Sequence, residues 1–229
     1  MGHALSTALA AAGVAVRGPL GRGEPCDADA VVLLCVPDRE IAAAAGFVAP
    51  GRVVGHCSGA STLQPLAPHE AFSLHPLMTV VPHREARFAG AGCAVAGSTP
   101  RALAVAESLA GLLHMRAVRV AEADRPLYHA AASAASNFLV TLECAAESLA
   151  VRAGVSRELL VPLVQTAVDH WAERGAAALT GPIARGDDQT VARQRAAVAA
   201  RAPELLPLWD ALVERTGALA RDASDGAKA

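Results

Sequence analysis

The apolar positions of this chain follow one rhythm up to about Val120 and another beyond it. In the first stretch, short apolar runs alternate with helix-forming segments. Residues 3 to 12 (HALSTALAAA) are helix formers, and Gly13 is placed to end that helix. Val14 to Val16 predict a short strand, and Gly18-Pro19 with Gly21-Arg22-Gly23 predict a loop. Asp29 to Val36 is a continuous, β-branched apolar run, the pattern of a fully buried parallel strand. It ends at Pro37-Asp38, where Asp38 is set to cap a helix running through Ala45. Arg52 to His56 and Ala71 to His75 predict further strands. Ala94 to Ala96 opens another unit, with a helix from Pro100 to Leu113 and a strand from Arg116 to Val120. Strand and helix alternating in this way predict a parallel α/β sheet.

Beyond Val120 no strand pattern follows. Asp124-Arg125-Pro126 opens an Ala-rich helix, with proline in the first turn where it is tolerated. Further helices are predicted over Ser156 to Arg174, Asp187 to Arg201 and Pro203 to Arg221, punctuated by Gly154, Gly175 and Thr180-Gly181-Pro182. The expected organisation is an α/β Rossmann-like domain over residues 1–120 and an all-α C-terminal domain over residues 121–229. No internal repeat is visible.

The start of the chain bears on this expectation. A dinucleotide-binding unit needs a first strand, a glycine-rich turn, and a helix whose N-terminus faces the pyrophosphate. Gly2 stands directly before the first helix, where the third glycine of G-x-G-x-x-G belongs. The first strand and the other two glycines would then lie upstream of Met1. The expectation is a chain short by roughly ten residues, about one strand and a turn. The alternative is a fold that starts with a helix.

Composition narrows the chemistry. The chain has 229 residues, 53% hydrophobic and 18% charged, which excludes disorder. A net charge of -2 gives no basic footprint for nucleic acid or for a membrane surface. No apolar run approaches the ~18 residues of a membrane helix. Lys228 is the sole lysine, so Schiff-base chemistry and a lysine proton donor are set aside. The five cysteines lack C-x-x-C spacing, so neither a disulfide framework nor a zinc ribbon is expected, and a reducing cytoplasm fits best. Cys35 and Cys144 lie in apolar segments and read as buried small hydrophobes.

Candidate chemistry gathers at strand ends. His56-Cys57-Ser58-Gly59 and Val36-Pro37-Asp38 each close a predicted strand, at the edge where open α/β sheets bind ligands. Cys35, Val36 and Pro37 are placed to line a cofactor, together with Ser58 and Gly59. Arg22, in the loop after the second strand position, favours a ribose 2′-phosphate and hence NADP, while Glu24 nearby keeps NAD open. His75 follows another extended segment. His56, Cys57, His75 and His83 show no spacing typical of metal ligands, and no metal is expected. No Asp-His pair stands at a spacing that would support a serine or cysteine hydrolase. His129, Ser133 and Asn137 are spaced i, i+4, i+8, with Ser136 between them, which predicts one narrow helix face. Thr180 to Asp187 joins two helices; Thr180 and Arg185 are candidates for an anionic substrate group.

Five segments carry a family resemblance: Leu33 to Asp38, His56 to Ala60, Ser73 to Leu77, Tyr128 to Ser133 with Ser136-Asn137, and Leu179 to Asp187. In this order they resemble bacterial Rossmann-like proteins whose C-terminal domain has no known function. Those belong to the 6-phosphogluconate dehydrogenase-like superfamily and are distantly similar to pyrroline-5-carboxylate reductase and ketopantoate reductase. The resemblance implies an NAD(P)-binding N-terminal domain, a helical second domain, and homodimerisation through its helices. In related hydroxyacid dehydrogenases the equivalent helix carries Lys-x-x-x-Asn. Here Ser133 replaces the lysine ahead of Asn137, so the lysine mechanism does not transfer.

Two functions remain open at this point. One is an NAD(P)-dependent oxidoreductase acting on a small carbonyl, imine or hydroxy compound. His129, His56 and His75 would be its proton-donor candidates, Ser133 and Asn137 its substrate contacts. The other is a dinucleotide-binding sensor or partner protein without turnover.

Overall fold

A computed structural model of the chain describes residues 1–24, 26, 31–81 and 84–226, with side chains to residue 223. The chain divides into two compact units, Met1–Asn137 and Phe138–Ala229.

The first unit is built on a five-stranded sheet in the order β1 (Val31–Leu34), β2 (Val53–His56), β3 (Glu70–Leu77), β4 (Gly92–Gly97) and β5 (Arg116–Arg119). β1, β2 and β3 run parallel, with Leu34 opposite His56 and His56 opposite Ser73. β4 runs antiparallel to β3, and β5 parallel to β4. An all-parallel sheet was the expectation from the pattern. The reversal follows from the connection: a parallel return needs a crossover, usually a helix, and the described residues between Leu77 and Gly92 contain none.

Side chains alternate across this sheet, as the pleat requires. On one face Val53, Phe72, Leu74, Cys93 and Val95 meet α1 (Gly2–Ala11) and α3 (Pro100–Leu112). Leu5 and Leu9 of α1, and Ala102, Ala106 and Ala110 of α3, recur every four residues and point inward. On the other face Val54 and Ala71 meet Ile41 and Ala45 of α2 (Ile41–Ala45), with Val48 and Leu66.

Several local expectations change. Val14 to Val16 form no strand. Gly13 adopts φ 85°, and the Val14 N–H donates to Leu9 O at 3.0 Å, so the start of this segment ends α1 as a Schellman turn. β1 is an edge strand, with Val31 39% exposed, and is not fully buried. Asp29, the predicted start of that run, lies outside the described residues. Asp38 caps no helix; a 3₁₀ turn over Asp38–Glu40 precedes α2, and the Asp38 carboxylate is engaged elsewhere.

The first unit ends with α4 (Arg125–Ser133) and most of a π-helical turn over Ala134–Phe138. The compact unit thus extends past Val120, where the strand pattern stops. The second unit is helical: α5 (Leu139–Arg152), α6 (Arg157–Arg174), α7 (Asp188–Arg201) and α8 (Leu206–Gly226). Asp187 caps α7 by accepting the Thr190 N–H at 3.0 Å. Arg152 pairs with Glu204 at 2.7 Å, and Arg195 binds Asp210 through two nitrogens. Among its described residues only Val198 and Ala202 are buried. Cys144 is exposed and Cys35 half-buried, where both were expected inside. No helix among the described residues is long and apolar enough to cross a membrane.

Candidate active site

The site forms where β1, β2 and β3 end, on the face of the sheet that carries α2. Residues 56, 73 and 75 share that face, because the register sets His56 beside Ser73 and the pleat repeats every second residue.

His56 is fully buried, and both ring nitrogens are engaged. Nδ1 accepts the Ser58 N–H at 3.2 Å, so Nε2 carries the proton and donates to Thr62 O at 2.9 Å. Burial, with the nearby Arg125 charge, holds this imidazole below its ordinary pKa. His56 therefore stays neutral and shapes the turn after β2; both nitrogens being occupied, it is not placed to donate a proton to a ligand. Ser58 is buried in the same turn. Its hydroxyl donates to Asp38 Oδ2 at 2.7 Å and accepts the N–H groups of Ala60 and Ser61. The turns after β1 and β2 are thereby tied together.

Arg125 opens α4 and is 1% exposed. Nη1 donates to Ser58 O at 3.3 Å and Ser61 O at 3.0 Å, and Nη2 donates to the Ser73 hydroxyl. All three acceptors are neutral. The guanidinium remains cationic even though burial lowers its pKa. It anchors the start of α4 to the turn after β2 and to β3, which explains why the first unit runs on to Asn137.

One turn further along α4, the Tyr128 hydroxyl lies 2.8 Å from His75 Nδ1. The two rings meet edge to face, with centroids 5.5 Å apart. The His129 ring stands 6.2 Å from that of His75. Burial first, then the neighbouring His129 and Arg125, lower the His75 pKa to about 4. Burial raises that of Tyr128. Both groups are therefore neutral near pH 7. Gly59 lies against them: a β-carbon there would stand 2.7 Å from His75 Cε1 and 2.8 Å from His129 Cδ2. Only glycine leaves the two imidazoles this room.

The remaining candidates are placed as follows. His129 is exposed, and Ser133, one turn on, is half-buried. Asn137 lies within the π turn, which is wider than an α-turn, so the single narrow face predicted through residues 129, 133 and 137 is interrupted. The Ser136 hydroxyl donates to Ala132 O at 2.9 Å. Val36 and Pro37 are exposed beyond the end of β1. Arg22 forms an exposed ion pair with Glu40. Thr180 and Arg185 are exposed in the second unit, beside a turn in which Arg185 N–H donates to Gly181 O at 3.2 Å. His83 lies outside the described residues.

Gly2 bears on whether a dinucleotide fits. A β-carbon at residue 2 would stand 3.3 Å from Cys35 Cβ, so the missing side chain lets the start of α1 approach the end of β1. Met1 makes no side-chain cap, and the first turn of α1 holds no acidic residue. That close, uncapped helix start suits a pyrophosphate.

Residues 91–216 match the family described as a domain of unknown function (DUF2520). The chain belongs to that family. The matched region begins at β4 and runs through α8's middle, so it includes α4 and its buried arginine as well as the helical unit. No curated protein matches the chain. Solved structures share its fold. A protein from Thermotoga maritima is 26% identical, with TM-score 0.72, covering 88% of this chain and 81% of that one. A ketol-acid reductoisomerase from an uncultured archaeon, described as preferring NADH, is 15% identical, with TM-score 0.59 and coverage of 99% and 82%. A pyrroline carboxylate reductase from Plasmodium falciparum, solved with NADP bound, is 12% identical, with TM-score 0.57 and coverage of 95% of each chain. The Rossmann-like fold expected from the sequence is the fold of this DUF2520 protein, with its helical C-terminal region.

Arg125, Tyr128 and Ser73 took no part in the chemistry proposed from sequence, and Asp38 entered only through the Val36-Pro37-Asp38 turn at the ligand-binding edge. Asp38 and Arg125 looked like helix-start residues, and charged residues there are ordinarily solvated. The available signal was Tyr128, the only tyrosine, directly beside His129.

Proposed function

We propose that this DUF2520 protein is an NAD(P)-dependent oxidoreductase acting on a small carbonyl, imine or hydroxy compound. The observation that carries the proposal is the Tyr128–His75 pair, 2.8 Å apart beside Gly59 at the ends of the parallel strands. The fold shared with nicotinamide-dependent reductases supports it.

Gly2 at the head of α1, the Cys35-Val36-Pro37 turn, Ser58 and Gly59 would hold the cofactor, and Arg22 would exchange Glu40 for a 2′-phosphate, favouring NADP over NAD. The nicotinamide supplies the hydride. The protein supplies the proton. In the reducing direction Tyr128 gives its hydroxyl proton to the substrate oxygen or nitrogen. As His75 Nδ1–H passes to the Tyr128 oxygen, Nε2 takes a proton from solvent in the same step, beside the space Gly59 leaves. The imidazole then passes between neutral tautomers without carrying a charge, which agrees with its depressed pKa. His129 flanks this pair. Ser133 and Asn137 are the substrate contacts proposed on the same segment.

The second unit also supports a homodimer. Leu159, Leu163 and Trp171 on α6 are 69%, 67% and 65% exposed, a large apolar face for a folded chain alone.

The test is NADPH oxidation against aldehydes, 2-keto acids and cyclic imines. Tyr128→Phe should lower kcat by about 10²- to 10⁴-fold while NADPH affinity stays unchanged. Cofactor binding with no turnover across the panel would favour the sensor reading instead.

A further inference from the structure

Two of the five cysteines stand side by side at the edge of the site. Leu34 pairs with His56 in the β1–β2 register, so Cys35 and Cys57 follow as the next neighbours on adjacent parallel strands. The Cys57 N–H still donates to Leu34 O at 3.3 Å, which holds the two chain ends together. Their sulfurs are 3.6 Å apart and both residues are half-buried. Neighbouring strands run ~4.8 Å apart, inside the Cα separation that a disulfide spans. Closing the sulfurs to the ~2.05 Å of an S–S bond needs side-chain rotation and a small strand adjustment.

We propose that Cys35 and Cys57 are a thiol-oxidation site, joined by a reversible cross-strand disulfide when the protein meets a peroxide. The roles of the two sulfurs differ. The sulfur–sulfur contact lowers the Cys35 pKa, and the same contact with burial raises that of Cys57 well above its ordinary value. Cys35 is therefore the thiolate that attacks. Its sulfur takes one oxygen from hydrogen peroxide, giving Cys35 sulfenic acid and hydroxide. The Cys57 thiol then displaces water from that sulfur and forms the S–S bond. In sum, two thiols and one peroxide give one disulfide and two waters. Two electrons pass from the sulfurs to the peroxide.

The other cysteines are placed differently. Cys93 is fully buried, and burial pushes its thiol up to about 12. Cys26 is buried in the cluster around α2. Cys144 is exposed, in the second unit, and serves as an internal control.

The experiment exposes the full chain to one equivalent of hydrogen peroxide, quenches with N-ethylmaleimide in denaturant, and maps peptides by mass spectrometry. The expected result is the loss of two alkylatable thiols and of two hydrogen atoms. The linked peptides should contain Cys35 and Cys57, with fragment ions separating Cys35 from Cys26. Dithiothreitol should restore both thiols. In Cys57→Ser the Cys35 sulfenic acid should persist and react with dimedone. The proposal is overturned if wild-type Cys35 and Cys57 both remain alkylatable after Cys144 has been oxidised, or if Cys35 advances to sulfinic acid without the link. Neither readout depends on cofactor binding or turnover.

Discussion

The two units use the same aliphatic alphabet in opposite ways. In the first, α1 and α3 press alanines and leucines into a sheet whose central strands are nearly inaccessible to water; Val53, Phe72 and Leu74 are each 0% exposed. In the second, leucines, valines and a tryptophan project outward, and surface arginine pairs tie the helices together. Buried apolar area drives folding at ~25 cal/mol per Å², so the first unit contains most of its own stabilisation. The second leaves much of its apolar surface exposed. The difference also separates the chemistry. Buried polar groups with altered proton affinity lie in the first unit, whereas the shifted groups of the second are exposed ion-pair and cap residues.

The strongest way to break this contrast is at Arg125. Arg125→Met removes the cation and leaves Ser58 O, Ser61 O and the Ser73 hydroxyl without their donors. The first unit should lose about 3 kcal/mol or more in urea unfolding. A loss under 1 kcal/mol would show that the guanidinium does not anchor α4. Next comes the apolar face. Leu163→Glu with Trp171→Glu should weaken self-association at least ~10-fold in sedimentation, since each charge is forced into a dry contact. Stability of the monomer should hardly change, because both side chains are already exposed. A wild-type chain that sediments as a monomer at micromolar concentration would end the dimer proposal.

The smallest effect sharpens the contrast by pH. His75 has a folded pKa of about 4 against an ordinary 6.5. Below pH 6.5 the unfolded chain binds the proton first, so stability falls as pH falls, and the loss levels off near pH 4. The slope should be on the order of 1 kcal/mol per pH unit. His75→Gln should flatten much of it, with the remainder from His56, whose pKa is also lowered. An unchanged slope in that variant would mean that His75 is not held neutral.

How far the sequence announced all this depends on range. Apolar runs and capping residues act over a few positions, so β2, α3, α6 and α7 were legible within a residue or two. The β3–β4 reversal was not: the alternation predicts parallel strands, and the described residues between Leu77 and Gly92 hold no crossover helix. The neighbourhood of the site was legible through His56, Ser58, Gly59 and His75. Its internal roles were not. His56 was a proton-donor candidate, and the turn occupies both its nitrogens. Tyr128 stands 53 residues from His75 in the chain, a separation that no local pattern bridges. The i, i+4, i+8 spacing assumed a uniform helix, and the π turn at Ala134–Phe138 breaks that assumption.

The reversal at β4 has a consequence for how this family can diversify. Because Leu77 faces Gly92, β4 starts at the rim where β1, β2 and β3 finish. The connection over residues 78–91 therefore leaves β3 and re-enters β4 at that rim, with Phe88 packed on the α1–α3 side, while the link from β4 into α3 at Ser98 and Thr99 turns at the far rim. Lengthening the first should retune what is admitted to the site. Lengthening the second should be felt as stability alone. In an all-parallel sheet, the link out of β4 would instead have left from the rim that carries the site.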